Sequence, residues 1–190
     1  AFGAEPDAEG FVSLFNGKDL TGWIGSKSYG VEMCKEKLGS GQVKEFPVLA
    51  CQPQKRVRGD HGNLCTEKQY ENFILRFEFC MPENGNNGLG IRMPQINRDA
   101  AYWAMCELQL LDDGGSSYYD KKAKKDKLQP YQYTGSVYGI WPVKRDNFNK
   151  QIWGKDKNFT GGGSYVRRPG MWNFEEVRVI GSRIQVILNG

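Results

Sequence analysis

The residues with the clearest chemical potential lie in the segment 106–112, where two carboxylates flank an amide in the pattern Glu107-x-Gln109-x-x-Asp112. Two carboxylates about 5–5.5 Å apart can cleave a glycosidic bond with retention of configuration. Side chains five positions apart point to opposite faces of a regular strand, so Glu107 and Asp112 share a face only if a β-bulge intervenes. The pattern therefore leaves two interpretations open, a catalytic pair or a solvated strand glutamate.

Two strands must lie side by side to combine these residues with a cation. Alternation places Cys106, Leu108 and Leu110 on one face, and Glu107 and Gln109 on the other together with Leu111. In the segment 86–92, Arg92 points away from the apolar face in the same manner. A strand with one apolar and one polar face fits a two-layer β fold. We predict that Glu107, Gln109 and Arg92 line one groove, the active site, and the enzymatic interpretation depends on Glu107 and Arg92 sharing it.

The only histidine, His61, lies in a loop before a short predicted strand. An unperturbed imidazole titrates near neutrality, so His61 could carry protons at the groove. A loop histidine that hydrogen-bonds its neighbours is the alternative, and the residue type alone favours it.

Charge and hydropathy argue against a nucleic-acid partner and against a membrane-spanning segment. The net charge is +4, and five lysines lie within residues 121–127, so the remainder of the chain is close to neutral. A nucleic-acid-binding protein usually spreads basic charge over one face, which argues against that class. No segment is long and apolar enough to span a membrane. Residues 1–6 resemble a mature end left after signal removal, so we expect a periplasmic or secreted protein.

The remaining pattern is that of a turn-rich chain without long helical periodicity, which predicts one all-β domain over 1–190, with a flexible tail at 1–9. The clearest strand is 72–81, which has a continuous apolar face. The segments 175–180 and 183–188 form a hairpin across Gly181-Ser182, and the turn signal at 189–190 predicts that further strands follow. We expect a short strand at 11–15 and irregular structure over 25–46.

Several ordered segments resemble the 3-keto-disaccharide hydrolase family, from about residue 10 to residue 190. The first is Phe11-Val-Ser-Leu-Phe-Asn-Gly-Lys-Asp-Leu-Thr-Gly-Trp23, and it is followed by residues 70–81, 86–92, 107–112, 135–139 and 170–173. The resemblance implies a concanavalin A-like jelly roll, an antiparallel two-sheet β-sandwich with long loops over a concave sugar-binding face. The segment 107–112 also resembles the E-x-D-x-x-E strand of laminarinase-type glycosidases, with Gln109 in place of the middle acid.

The family resemblance implies a mechanism that needs one base, because a ketone at sugar C3 acidifies the C2 proton and permits β-elimination. It gives Glu107 the role of base, and Arg92 and His61 the role of stabilising the developing oxyanion. Asp112 would orient Arg92 or His61, or help to bind a divalent metal; no cofactor is certain. The partner is a carbohydrate. The candidate substrate-binding residues are Asn86, Asn87, Gln109, Asp112, Tyr138 and Trp103.

One departure from the family concerns Thr134, which stands where relatives often carry a histidine. If that histidine is catalytic, activity is altered here. Two other classes remain open at this point. The first is a carbohydrate-binding module with the same fold and no turnover, and the second is a retaining glycosidase that uses Glu107 and Asp112.

Overall fold

The computed structural model describes residues 5–57, 62–93, 106–115, 117, 119–120, 125–126, 128–138 and 166–190. These residues belong to two compact units that divide between Gln69 and Tyr70. The single domain expected over 1–190 stays a prediction. In the described part of the chain, no helix is sufficiently long and apolar to cross a membrane.

The described elements are strands, two 3₁₀ turns and loops, and every described strand pair is antiparallel, which confirms the all-β prediction. The strands are β1 (Trp23–Gly25), β2 (Tyr29–Lys37), β3 (Val43–Cys51), β4 (Leu64–Thr66), β5 (Phe73–Cys80), β6 (Asn86–Ile91), β7 (Cys106–Leu111), β8 (Tyr119–Asp120), β9 (Lys125–Asp126), β10 (Val137–Tyr138), β11 (Trp172–Ile180) and β12 (Arg183–Leu188).

The first unit contains a long hairpin that the sequence did not reveal. Strands β2 and β3 pair over nine residues each, so the prediction of irregular structure over 25–46 is wrong. Charges lie on both faces of β2, and Lys35 forms an ion pair with the directly opposite Glu45 at 2.7 Å. These charges interrupt the alternation of apolar residues by which a strand is recognised in a sequence. The strand expected at 11–15 is also wrong, because the described backbone there is irregular.

The second unit contains two three-stranded sheets whose apolar faces meet. The Glu107 sheet has the strand order β10-β7-β6, and the hairpin sheet has the order β12-β11-β5. Leu108 and Ile91 of the Glu107 sheet pack against Val177 and Val179 of the hairpin sheet. All four are nearly or fully buried. This shared core confirms the predicted β-sandwich, and it leaves the other face of the Glu107 sheet for polar residues.

The hairpin sheet follows the sequence prediction closely. The apolar face predicted for residues 72–81 reaches the core through Phe73, Phe77, Phe79 and Met81. Strands β11 and β12 pair up to Ile180 and Arg183, next to the two-residue turn. Gly181 has a φ of +56°, a conformation that the first position of a type II′ turn requires.

Candidate functional site

The polar face of the Glu107 sheet brings together residues from all three strands. Strand register places Glu107 opposite Gly90 on one side and opposite Tyr138 on the other. The same register places Gln109 opposite Gly88. Directly opposite residues share a face of the sheet, so these residues lie on the side away from the core. The predicted faces of Glu107 and Gln109 are therefore confirmed.

Glu107 supplies a carboxyl group to this face. Its side chain is half-buried, and no described residue donates a hydrogen bond to it or forms an ion pair with it. Burial raises the pKa of the Glu107 carboxyl above the ordinary value of 4.5. A carboxylate with a raised pKa is a stronger base than an exposed one, and the absence of a described partner leaves its oxygens available to a substrate proton.

Gln109 lies beside Glu107 and is held in place from two directions. Its side chain is only 4% exposed, and its Nε2 donates a hydrogen bond to Asn86 Oδ1 at 3.2 Å. Its backbone N–H donates to the Ser136 carbonyl at 2.9 Å, and its carbonyl accepts from Gly135 N–H at 2.8 Å. Gln109 thus fixes the Asn86 amide on the same face as Glu107.

Asn87 does not belong to this face. Register places it opposite Leu110, a residue of the buried core, and its Oδ1 accepts a hydrogen bond from Gly88 N–H at 2.8 Å. Successive residues of a strand alternate in direction, so Asn86 and Asn87 cannot both face the substrate. The prediction that Asn87 lies on the same face as Asn86 and Gln109 is wrong.

Arg92 is also separated from Glu107, and the predicted shared groove is wrong. Arg92 has a φ of +55°, which ends the extended backbone of β6 and with it the alternation of side chains. Its guanidinium donates a hydrogen bond to the Gly181 carbonyl at 2.7 Å, in the turn between β11 and β12. Arg92 therefore reaches across to the hairpin sheet. The enzymatic interpretation that depended on a groove shared by Arg92 and Glu107 therefore fails, and an enzymatic role needs support from other observations.

Asp112 is buried, is hydrogen-bonded to the backbone and lies far from Glu107. It is 5% exposed, and its Oδ2 accepts a hydrogen bond from Asn84 N–H at 2.8 Å. The register of β6 and β7 runs without interruption from 106 to 111, so no β-bulge turns Asp112 toward Glu107. Five extended residues span about 17 Å, far more than a retaining pair of carboxylates requires. The geometry does not favour a retaining glycosidase that uses these two residues.

Thr134 occupies the position where relatives were expected to carry histidine. It is 1% exposed, and its hydroxyl accepts a hydrogen bond from Leu111 N–H at 2.8 Å. The same hydroxyl lies 2.9 Å from the Leu111 carbonyl and 3.1 Å from Asp113 Oδ1, so it can donate to either. Thr134 thus connects the segment before β10 to the end of β7.

Sequence reasoning missed Tyr131, which lies in the 3₁₀ turn Pro130–Gln132. Its ring packs edge-to-face against the ring of Tyr138, with centroids 5.9 Å apart. Tyr138 is 37% exposed, so the pair forms an aromatic edge beside Glu107. The only sequence signal that could have indicated Tyr131 as a site residue is its aromatic side chain. The other two expected site residues, His61 and Trp103, lie outside the described residues.

Metal binding finds no support in the described part of the chain, where no three His, Cys, Asp or Glu side chains are grouped to hold an ion. A divalent metal at Asp112 stays a prediction, and none of the chemistry below depends on one.

The described residues of the second unit form an antiparallel two-sheet β-sandwich with a half-buried carboxyl on one outer face, and comparison with known proteins identifies the family. The family model for the 3-keto-alpha-glucoside-1,2-lyase-like domain matches residues 10–190. The chain belongs to this family, which confirms the resemblance seen in the sequence.

Individual relatives agree with this assignment. A 3-keto-disaccharide hydrolase from Bacteroides thetaiotaomicron is 26% identical over 152 residues, a match that covers 74% of this chain and 49% of the relative. The chain thus spans about half the length of that curated relative. Two crystal structures of candidate glycosyl hydrolases from Parabacteroides distasonis show the same fold. Their TM-scores are 0.59 and 0.50 at 22% and 19% identity, and they cover 93% and 91% of this chain and 68% and 65% of their own chains.

Proposed function

We propose that this chain cleaves 3-keto-glycosides, including 3-keto-disaccharides, and that Glu107 is the base. Membership of the family supports the substrate class, as does the relative named 3-keto-disaccharide hydrolase. The observation that carries the assignment is the Glu107 carboxyl, which is half-buried, has a raised pKa and is bonded by no described residue.

The chemistry begins with the acidity that a C3 ketone gives to the proton on C2. Glu107 removes that proton, and the electron pair of the C2–H bond delocalises onto the ketone as an enolate. The enolate then re-forms the ketone as the C1=C2 bond forms and the bond from C1 to the leaving-group oxygen breaks. That oxygen takes up a proton, and water adds across C1=C2 to give the free 3-keto sugar. This elimination and hydration require only one base. The proposal is therefore compatible with an amide at Gln109 and with the distance of Asp112 from Glu107.

The neighbours of Glu107 on the same face of the sheet bind the sugar in this proposal. Tyr138 lies directly opposite Glu107 and, with Tyr131, offers an apolar aromatic edge for the C–H face of a sugar ring. Asn86 is exposed and offers an amide group that can bind hydroxyls, and the buried Gln109 holds that amide in place. The enolate stabiliser is not Arg92, because Arg92 is bonded at the far sheet. His61 keeps the stabilising role expected for it as part of this proposal.

Replacement of the base tests the proposal. Glu107→Gln keeps the size of the side chain but cannot accept the proton, so cleavage of 3-keto-glucosides should fall by about 10²–10⁴-fold. The matched control is Glu78→Gln, an exposed strand glutamate of the hairpin sheet that should retain activity. The assay measures the leaving sugar that is released from a panel of 3-keto-glucosides, with and without chelator. Circular dichroism verifies that each variant is folded.

Two outcomes would overturn the proposal. Near wild-type cleavage by Glu107→Gln would remove the assignment of the base. Tight binding of an unoxidised oligosaccharide, without cleavage of any 3-keto-glycoside, would identify the chain as a carbohydrate-binding module.

A further inference from the structure

Gly88 lies directly beneath the Glu107 side chain. A Cβ atom built on Gly88 would lie 2.6 Å from Glu107 Cγ and 2.7 Å from Glu107 Cδ, and closer still to Oε1. Real Cβ atoms do not approach heavy atoms so closely, so any residue other than glycine would force one of the two side chains to move. Glu107 therefore occupies the space that a side chain at position 88 would fill.

The backbone gives no other reason for glycine at this position. Gly88 lies inside β6 in regular register with Gln109, and it is not among the glycines with a positive φ. An ordinary residue could adopt this extended conformation, and glycine inside a strand is unfavourable because it loses more conformational freedom on folding. A strand glycine commonly marks a close approach by another group. Here the approaching group is the Glu107 side chain.

We propose that Gly88 is a positioning residue for Glu107, and that the missing side chain at 88 allows the carboxyl to lie flat across β6 instead of standing out from the sheet. The role in catalysis rests on the proposed function of Glu107 as base, whereas the positioning itself is a property of the fold. Gly88 does not touch the substrate in this proposal. It fixes the place from which Glu107 reaches the C2 proton.

The first experiment measures where the carboxyl lies in Gly88→Ala. With ¹³C-labelled glutamate, the Glu107 signal is assigned by its loss in Glu107→Gln, and its titration is followed by NMR. Displacement from the sheet removes the burial that raises the pKa of Glu107, so the midpoint should move down toward the ordinary value. The control Gly39→Ala, whose added Cβ meets nothing within 4 Å, should leave the midpoint unchanged. An unchanged midpoint in Gly88→Ala would overturn the proposal.

The second experiment measures turnover in the same variants. A misplaced base should lower kcat for 3-keto-glucoside cleavage by about 10²-fold, with a much smaller change in KM. The acidic limb of the rate profile should move to lower pH together with the NMR midpoint. If wild-type protein cleaves no 3-keto-glycoside, the proposed function fails, but the NMR result still decides whether Gly88 positions the carboxyl.

A double-mutant cycle covers the case in which Gly88→Ala folds poorly. Glu107→Ala removes Cγ, Cδ and both oxygens, the atoms that an alanine at 88 would strike. The loss in melting temperature caused by Gly88→Ala should therefore disappear in the Glu107→Ala background. The same loss in both backgrounds would show that glycine is required at 88 for another reason, and would overturn the proposal.

Discussion

At the scale of single residues, the proposed cleavage depends on one carboxyl, Glu107, whose pKa is raised by burial. Protonated Glu107 cannot accept the C2 proton, so the rate must fall as the pH drops through the pKa of Glu107. Because that pKa is raised, the acidic limb of kcat/KM should lie above the limb expected for an exposed glutamate, whose ordinary pKa is 4.5. The measurement is kcat/KM for a 3-keto-glucoside against pH, with ellipticity recorded at each pH as a control for unfolding. A rate that stays constant below pH ~4 while the protein is folded contradicts the role of Glu107.

Arg92 shows why residue placement could not be predicted fully from the pattern. Strand alternation is a property of extended backbone, and it correctly placed Glu107 and Gln109 because β7 is regular from 106 to 111. At Arg92 the φ is +55°, and nothing in the alternating pattern signals that change. The same limitation applies to Gly88, whose closeness to Glu107 depends on the pairing of β6 with β7.

At the scale of elements, the junction between β7 and β10 depends on Thr134. Its hydroxyl is hydrogen-bonded to the backbone of Leu111 and is fully buried. Thr134→Val keeps the shape but leaves the Leu111 groups without this partner, so the free energy of unfolding should fall by about 1–3 kcal/mol. Urea denaturation measures the loss, and Thr134→Ser, which keeps the hydroxyl, is the matched control. Equal stability of the valine and serine variants would contradict the structural role.

Element prediction succeeded where one face of a strand is continuously apolar and failed where charges interrupt the apolar residues. Strands β5, β7 and the hairpin of β11 and β12 alternate clearly, and each was predicted at nearly the correct place. The β2–β3 hairpin carries Lys35, Glu45 and other charges in cross-strand pairs, and these charges interrupt the alternation of its apolar residues. The sequence therefore reveals strands that build the core better than strands that do not.

At the scale of the second unit, the apolar core contains a buried carboxyl group, that of Glu175, which strand alternation did not predict. Glu175 has no exposed surface, and no described residue hydrogen-bonds either of its carboxyl oxygens. Its neighbours in register are Phe77 and Leu188, which belong to the apolar packing between the sheets. An isolated carboxylate is very unfavourable in such surroundings, and burial raises the pKa of Glu175 to about 8. The folded protein therefore keeps Glu175 protonated at neutral pH.

The stability of the sandwich should consequently fall as the pH rises. Between the ordinary pKa of 4.5 and about 8, the unfolded chain has lost the Glu175 proton and the folded chain retains it. In that window the Glu175 contribution to the free energy of unfolding decreases by about 1.4 kcal/mol per pH unit, and above pH 8 the full cost is present. Glu176 has the opposite sign, because hydrogen bonding to Arg76 lowers its pKa, and its contribution is lost only in more acidic solution.

Glu175→Leu isolates this effect, because an apolar side chain of similar size needs no proton in the core. Urea denaturation at several pH values should show the variant gaining stability over wild type progressively from pH 4.5 to pH 8, with Glu78→Leu as the exposed control. The difference arises from a proton bound in the folded state alone, so it should be small at pH 4 and largest near pH 8. Parallel stability curves for wild type and Glu175→Leu across this range would mean that Glu175 is ionised in the folded protein and is stabilised there by a group beyond the described residues.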